Sequence, residues 1–153
     1  MANDPILGEI EYSYFWFKKI TVNFFGEDVK ITLSIAGRED EAIAPIQYEA
    51  YQALMGNWDK LQQDFLKPIL EYYQTQRTEL GYDEEDHPDY PLVETPEQIL
   101  PLLTLLRIKI RPPGVRDGRF VGICFDCTWD EDGVGLCLLD EKVVEVGYQE
   151  IAL

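Results

Sequence analysis

"KITVNFFGEDVKITLSI", residues 19–35, carries the alternation that decides the fold class. Ile20, Val22 and Phe24 alternate with Thr21 and Asn23. After "GED", Val29, Ile31, Leu33 and Ile35 alternate with Lys30, Thr32 and Ser34. A two-residue period puts one face in a core and the other in water, as in an antiparallel pair. Gly26 supplies the positive φ that a tight reversal needs. Upstream, "IEYSYFWF" is rich in residues of high strand propensity and reads as a further strand or an extended lead-in.

Downstream the period changes. Pro45 stands where a helix can begin, at a position that needs no N–H donor. From there Tyr51, Leu54, Met55, Trp58, Leu61, Phe65, Ile69, Tyr72 and Tyr73 recur at three- and four-residue steps, one apolar stripe ending near Gly81. Pro68 removes a helical hydrogen bond and clashes with the carbonyl of Asp64, which predicts a kink or break near Lys67. Thr95 and Pro96 then read as N-cap and first residue of a short helix, kept short by Pro101.

The last third reads as a meander. Leu106, Ile108 and Ile110 alternate, Asp117-Gly118 offers a tight turn, and Val121, Ile123, Phe125, Cys127 and Trp129 alternate before "VGLCLL" and "KVVEVG". The expected fold is α+β: one domain over residues 1–153, with an antiparallel sheet of about six strands packed on one long, Pro-kinked helix.

The chain has 153 residues with 13 Lys plus Arg against 29 Asp plus Glu, a net charge of -16. Nucleic-acid affinity comes largely from cations neutralising phosphates, so that partner is not expected, nor is an anionic membrane surface. A basic protein is the partner that this charge attracts. Three cysteines in a chain with ample core suit a reducing compartment. "MANDPILGEIEYS" lacks a basic and an apolar region, and no apolar run approaches the ~20 residues of a membrane span. A cytoplasmic protein without cofactor is expected.

"TWDEDG", residues 128–133, invites comparison with a calcium loop. With Gly133 at the sixth position, Thr128, Asp130 and Asp132 take the first, third and fifth, but Leu139 falls where a bidentate glutamate is required. A reversal between two strands fits better. A three-residue loop would set Cys127 opposite Cys137, and a two-residue loop opposite Leu138. Gly135 suggests that the Trp129 indole lies over bare backbone. Cys124 and Cys127, three positions apart on a strand, point to opposite faces and read as small hydrophobes.

"YDEEDHPDYP", residues 82–91, holds the only histidine, His87, among five carboxylates. The residues expected to meet a protein partner are Asp83, Glu84, Glu85, Asp86 and Asp89, with Tyr82 and Tyr90 as aromatic anchors. The same loop could instead hold a divalent cation through its oxygens, as a binding module or a small metal-dependent enzyme. A homo-oligomeric structural subunit is a third reading. No nucleophile motif and no glycine-rich phosphate loop is present, so no catalytic residue is assigned.

Two stretches together, residues 47–73 and 118–153, make the chain resemble a family of small, mostly bacterial domains of unknown function. The resemblance rests on a "D-C-x-W-D-x-x-G-x-G" pattern at Asp126, Cys127, Trp129, Asp130, Gly133 and Gly135, and on Val144, Glu145, Val146 and Gly147. It runs over about residues 18–153 and implies no catalytic activity. Family members often carry Glu-His where Glu131 and Asp132 stand here, so no role of that histidine transfers. By size, acidity and layout the domain is also similar to immunity proteins that block bacterial toxins.

Overall fold

A computed structural model describes residues 2–81 and 88–152. Eight strands form one open sheet in chain order: β1 (Ala2–Asp4), β2 (Gly8–Tyr12), β3 (Trp16–Phe24), β4 (Glu27–Ile35), β5 (Leu103–Ile110), β6 (Phe120–Cys127), β7 (Val134–Leu139) and β8 (Lys142–Gly147). The expected mixture of helix and sheet is present, but with eight strands where about six were read. The aromatic lead-in is a hairpin arm of its own, Tyr12 opposite Trp16, and β1 extends it.

Neighbours run antiparallel with one exception: Thr32–Ile35 of β4 lie parallel to Arg107–Ile110 of β5. A parallel pair cannot be joined by a tight turn. The connection, residues 36–102, accordingly carries all the α-helices: α1 (Pro45–Gly56), α2 (Trp58–Leu61), α3 (Leu66–Glu79) and α4 (Pro96–Ile99). They cover the face formed by Val22, Ile31, Leu33, Ile35, Ile108, Ile110, Ile123, Phe125 and Leu136, with Leu54, Phe65, Ile69 and Tyr73 packed down from above.

The single kinked helix is in fact three pieces. α1 starts with Pro45 at its first position, and the Gln47 side chain accepts the Ala44 N–H at 3.0 Å. It stops at Gly56–Asn57, and residues 62–64 form a 3-10 turn before α3. Pro68 sits in the first turn of α3, where its missing N–H has no partner to lose. The break therefore falls one turn ahead of the proline. The broken segment is pinned to the β3–β4 turn: the Trp58 indole and the Gln62 amide donate to the Asn23 carbonyl, and the Gln62 Oε1 accepts the Phe25 N–H at 2.8 Å. That turn is the two-residue reversal expected at Gly26, with φ 50° at Phe25 and 90° at Gly26.

Three local expectations change. A bulge between Leu105 and Arg107 shifts the phase of β5, so Leu105 rather than Leu106 enters the core. Asp117-Gly118 is not a tight turn, because Ile110 pairs with Val121 and the intervening residues form a longer loop. Neither register foreseen for Cys127 holds: Cys137 lies opposite Gly122, and Cys127 pairs with Leu103 on the other side of β6.

The second face of β6 and β7 is covered by a closing 3-10 turn, Gln149–Ala152. It rests on glycines. A Cβ at Gly122 would lie 2.1 Å from the Ala152 carbonyl oxygen, and one at Gly135 would lie 2.5 Å from that of Tyr148. Gly135 thus makes room for the chain end, not for the Trp129 indole. Gly122→Ala should cost about 1–3 kcal/mol, the range for overpacking a filled site. Urea unfolding would measure it; a change within ~0.5 kcal/mol, ordinary for a surface position, would mean that this turn does not seat on β6.

Candidate functional site

An open groove of about 410 Å³ runs between α3 and β8, lined by Pro68, Glu71, Tyr72, Thr75 and Val143–Val146. Each element reaches it for a local reason. Tyr72 and Tyr73 are adjacent on a helix, so they diverge by about 100°. Tyr73 takes the core and is fully buried, which leaves Tyr72 half-exposed on the flank. β8 is the sheet's last strand, and a bulge between its pairs Cys137–Glu145 and Leu138–Val143 leaves Val144 unopposed and 46% exposed. An edge strand carries unpaired backbone donors and acceptors along its outer side. Tyr148, 48% exposed, follows directly.

The hairpin residues 126–135 form the support under this groove. The Trp129 indole donates to Gln76 Oε1 at 2.7 Å, and its ring packs 4.6 Å from Tyr73. Gln76 Nε2 donates to Asp130 Oδ2 at 3.4 Å, while Asp130 Oδ1 accepts the Asp132 N–H at 2.9 Å. Asp126 accepts from Gln149 Nε2 at 3.2 Å, and the Cys127 thiol donates to the Asp130 carbonyl at 3.3 Å. Gly133, at φ 64°, has the Gln149 amide 2.3 Å from where a Cβ would sit. The Asp130 oxygens are committed to these internal bonds, and among the described residues no group of three or more His, Cys, Asp or Glu side chains is placed to hold a metal.

The residues expected to meet a partner fare differently. Tyr82, Asp83, Glu84, Glu85, Asp86 and His87 lie outside the described residues. Asp89 is exposed. Tyr90 is half-buried and stacks on Tyr73 at 6.3 Å and 11°, with its carbonyl accepting from the buried Arg77 at 3.0 Å. Tyr73 therefore links Tyr90 to Trp129, and the two sets of sequence candidates meet on α3. Sequence reasoning missed Glu71, Tyr72, Val144 and Tyr148. The doubled tyrosine was the available signal, since only one of two neighbouring helical side chains can face a core.

The Tyr72 hydroxyl and the three thiols are shifted toward their neutral forms. Burial, then the charges of Tyr148, Asp130, Cys127 and Glu79, push the Tyr72 hydroxyl up to about 12. Burial pushes the Cys127 thiol up to about 11 and raises Cys124 and Cys137 as well. All three cysteines are free. The thiolate is the nucleophile, so raised values leave these sulfurs unreactive at neutral pH.

The sequence matches the family described as domain of unknown function DUF6985 over residues 6–153. The chain belongs to that family. No curated protein matches the chain, and no solved structure matches it either. DUF6985 thus names a group by sequence, and the geometry above is what this member adds. No helix among the described residues is long and apolar enough to cross a membrane, which leaves strand-built spans unaddressed.

Two outcomes follow for the support under the groove. Trp129→Phe keeps most of the packing but leaves Gln76 without its donor and should cost about 1–3 kcal/mol, whereas Trp129→Ala should cost about 3–5 kcal/mol; equal losses in thermal or urea unfolding would deny the indole bond. A thiol raised in the folded state favours folding below its unfolded value, and that contribution disappears as pH climbs through the folded one. Stability should therefore fall between pH 9 and about 11, and Cys127→Val should flatten that fall; an unchanged profile would place the alkaline loss elsewhere.

Proposed function

We propose that this domain is a non-catalytic binding protein of the cytoplasm that receives a basic protein partner, in the manner of a bacterial immunity protein neutralising a toxin. The observation that carries this reading is the α3–β8 groove, where exposed apolar surface stands beside a carboxylate. Val144 offers contact area next to Glu71, and the exposed Tyr148 follows β8 directly. Affinity concentrates in a few buried aromatic and apolar contacts, while surrounding charge speeds encounter and selects the partner.

The rest of the helical layer has the same sign. Glu49, Asp59, Asp64, Glu71, Glu79 and Glu97 are exposed there, against Lys60 and Lys67, while Arg77 is buried. A cationic partner approaching this side meets a field of one sign over several helices. The neutral thiols and the raised tyrosine agree with a surface that binds rather than reacts. The family pattern at Asp126–Gly135 then has a supporting role: it holds α3 at a set distance from β7 and β8.

Immobilised domain should capture a basic protein from a native extract at about 50 mM salt and release it as salt rises, because exposed charge pairs are screened beyond ~8–10 Å. Glu71→Lys combined with Val144→Ser should reduce capture at least tenfold. Recovery of no basic protein, release indifferent to salt, or undiminished capture by this variant would each count against the reading.

A further inference from the structure

The face of the sheet turned away from the helices carries a column of cations at its centre. Register places Arg107 and Lys109 on that face of the central strand β5, alternating with the core residues Ile108 and Ile110, and Arg111 continues the column. Same-face neighbours on a strand lie about 7 Å apart, so three cations stand within about 14 Å. Lys19 and Lys30 are exposed on the neighbouring strands. The carboxylates of this face are Glu9 and Glu11 on β2, Asp28 on β4, Asp126 near the end of β6 and Glu145 on β8; Asp126 accepts from the Gln149 amide and Glu145 pairs with Arg116.

Exposed lysines such as Lys19, Lys60 and Lys67 stand in water without an ion pair to any described residue, and Arg38, Arg116 and Arg119 each meet a carboxylate; Arg107, Lys109 and Arg111 are instead partly buried. Among the described residues no ion pair reaches Arg107, Lys109 or Arg111. Mutual repulsion is not relieved: burial first, then the neighbouring Arg111 and Arg107, hold the Lys109 ammonium below its usual value. Independently, Nε and Nη1 of Arg111 are buried without a hydrogen-bond partner, and so is the hydroxyl of Ser34, which lies beside Lys109 on β4. A buried donor left unpaired costs about 1–3 kcal/mol, more for a charged group. Such a cost is recovered when an acceptor arrives.

We propose that the open face of the sheet, centred on Arg107, Lys109 and Arg111, docks an extended acidic segment of a partner protein. The spacing is self-consistent. Alternate side chains of an extended peptide repeat at about 7 Å, the period of the cation column, because both chains are strands. Arginine forks grip carboxylates through two parallel bonds. Aromatic rings back the charges: Lys109 lies 5.2 Å from the Phe15 centroid, and Arg111 lies 5.5 Å from that of Phe120. Those contacts also argue against single-stranded nucleic acid, since cations occupy ring faces on which bases would stack. The net charge of -16 repels a longer polyanion beyond this face. The surface is distinct from the α3–β8 groove, on the opposite side of the sheet, and the two tests can fail separately.

The probe is a fluorescent octapeptide of alternating glutamate and threonine, with an alternating lysine and threonine peptide as control, followed by anisotropy on the full chain. The glutamate peptide should bind saturably at 20 mM salt and several-fold more weakly at 150 mM, and the lysine peptide should not compete. Arg107→Gln with Lys109→Gln should weaken binding at least tenfold, whereas Glu71→Lys with Val144→Ser should leave it unchanged. Amide shifts of the unmodified protein serve if the double variant fails to fold: they should move at Lys19, Ser34, Arg107 and Lys109. Absence of saturable binding, shifts confined to the helical layer, or undiminished binding by a folded double variant would overturn the proposal. So would tighter binding of a single-stranded oligonucleotide, or salt-sensitive self-association without peptide, which would assign the face to a second copy of this chain.

Discussion

The four-residue parallel contact between β4 and β5 is the constraint on which the other features depend. Antiparallel neighbours can follow one another through short turns, but this pair obliges the chain to leave the sheet and return from the same end. The four α-helices of the described residues sit in that excursion, and so one face of the sheet is roofed while much of the other stays open. The excursion is tied down at its two ends. The buried Gln47 amide donates to the carbonyls of Ala36 and Arg111, spanning the ends of β4 and β5. Trp58 and Gln62 bind the far turn of the β3–β4 hairpin. With these anchors, α3 comes to rest beside β8, and the groove between them exists because the parallel pair set the crossover.

How much of this could be read from residues alone depends on the range of the interaction that decides each feature. The β3–β4 hairpin was legible because alternation and Gly26 act within a few positions. The starts of α1 and α4 were legible for the same reason, from Pro45 and from Thr95-Pro96. The parallel contact was not, since Leu33 facing Ile108 is a meeting of residues far apart in the chain, and alternation looks alike in either direction. The bulge at Leu106 and the long loops after Ile110 and Phe125 were hidden too. Gly122 and Gly135 record the packing of the last turn only once Ala152 and Tyr148 are known to lie on them.

Most of the acidic loop expected to meet a partner, residues 82–87, lies outside the described residues, and the α3–β8 groove was not read from the sequence. An acidic chain attracts a basic partner wherever its carboxylates lie, and composition alone cannot say that they gather over the helices. Nor could the pattern Asp126–Gly135 be recognised as a brace, because Gln76 and Gln149, the side chains that receive it, lie far from it in sequence. The pattern's spacing failed a calcium loop at Leu139 and read as a strand reversal; the carboxylates of Asp126 and Asp130 accept from amides of Gln149, Gln76 and Asp132.

Sorting charge by face also changes what the net value of -16 means. A uniform negative surface would keep such molecules apart and bind cations without preference. Here the helical layer holds carboxylates in excess, while β5 sends a row of cations to the other side, separated by a single sheet. Exposed charges interact weakly beyond about 8–10 Å in salt, and stacked protein layers are spaced by ~10 Å, so the cation column on β5 and the carboxylates over the helices act largely apart. The apolar residues between them, Ile108 and Ile110 against Phe65 and Ile69, insulate one surface from the other.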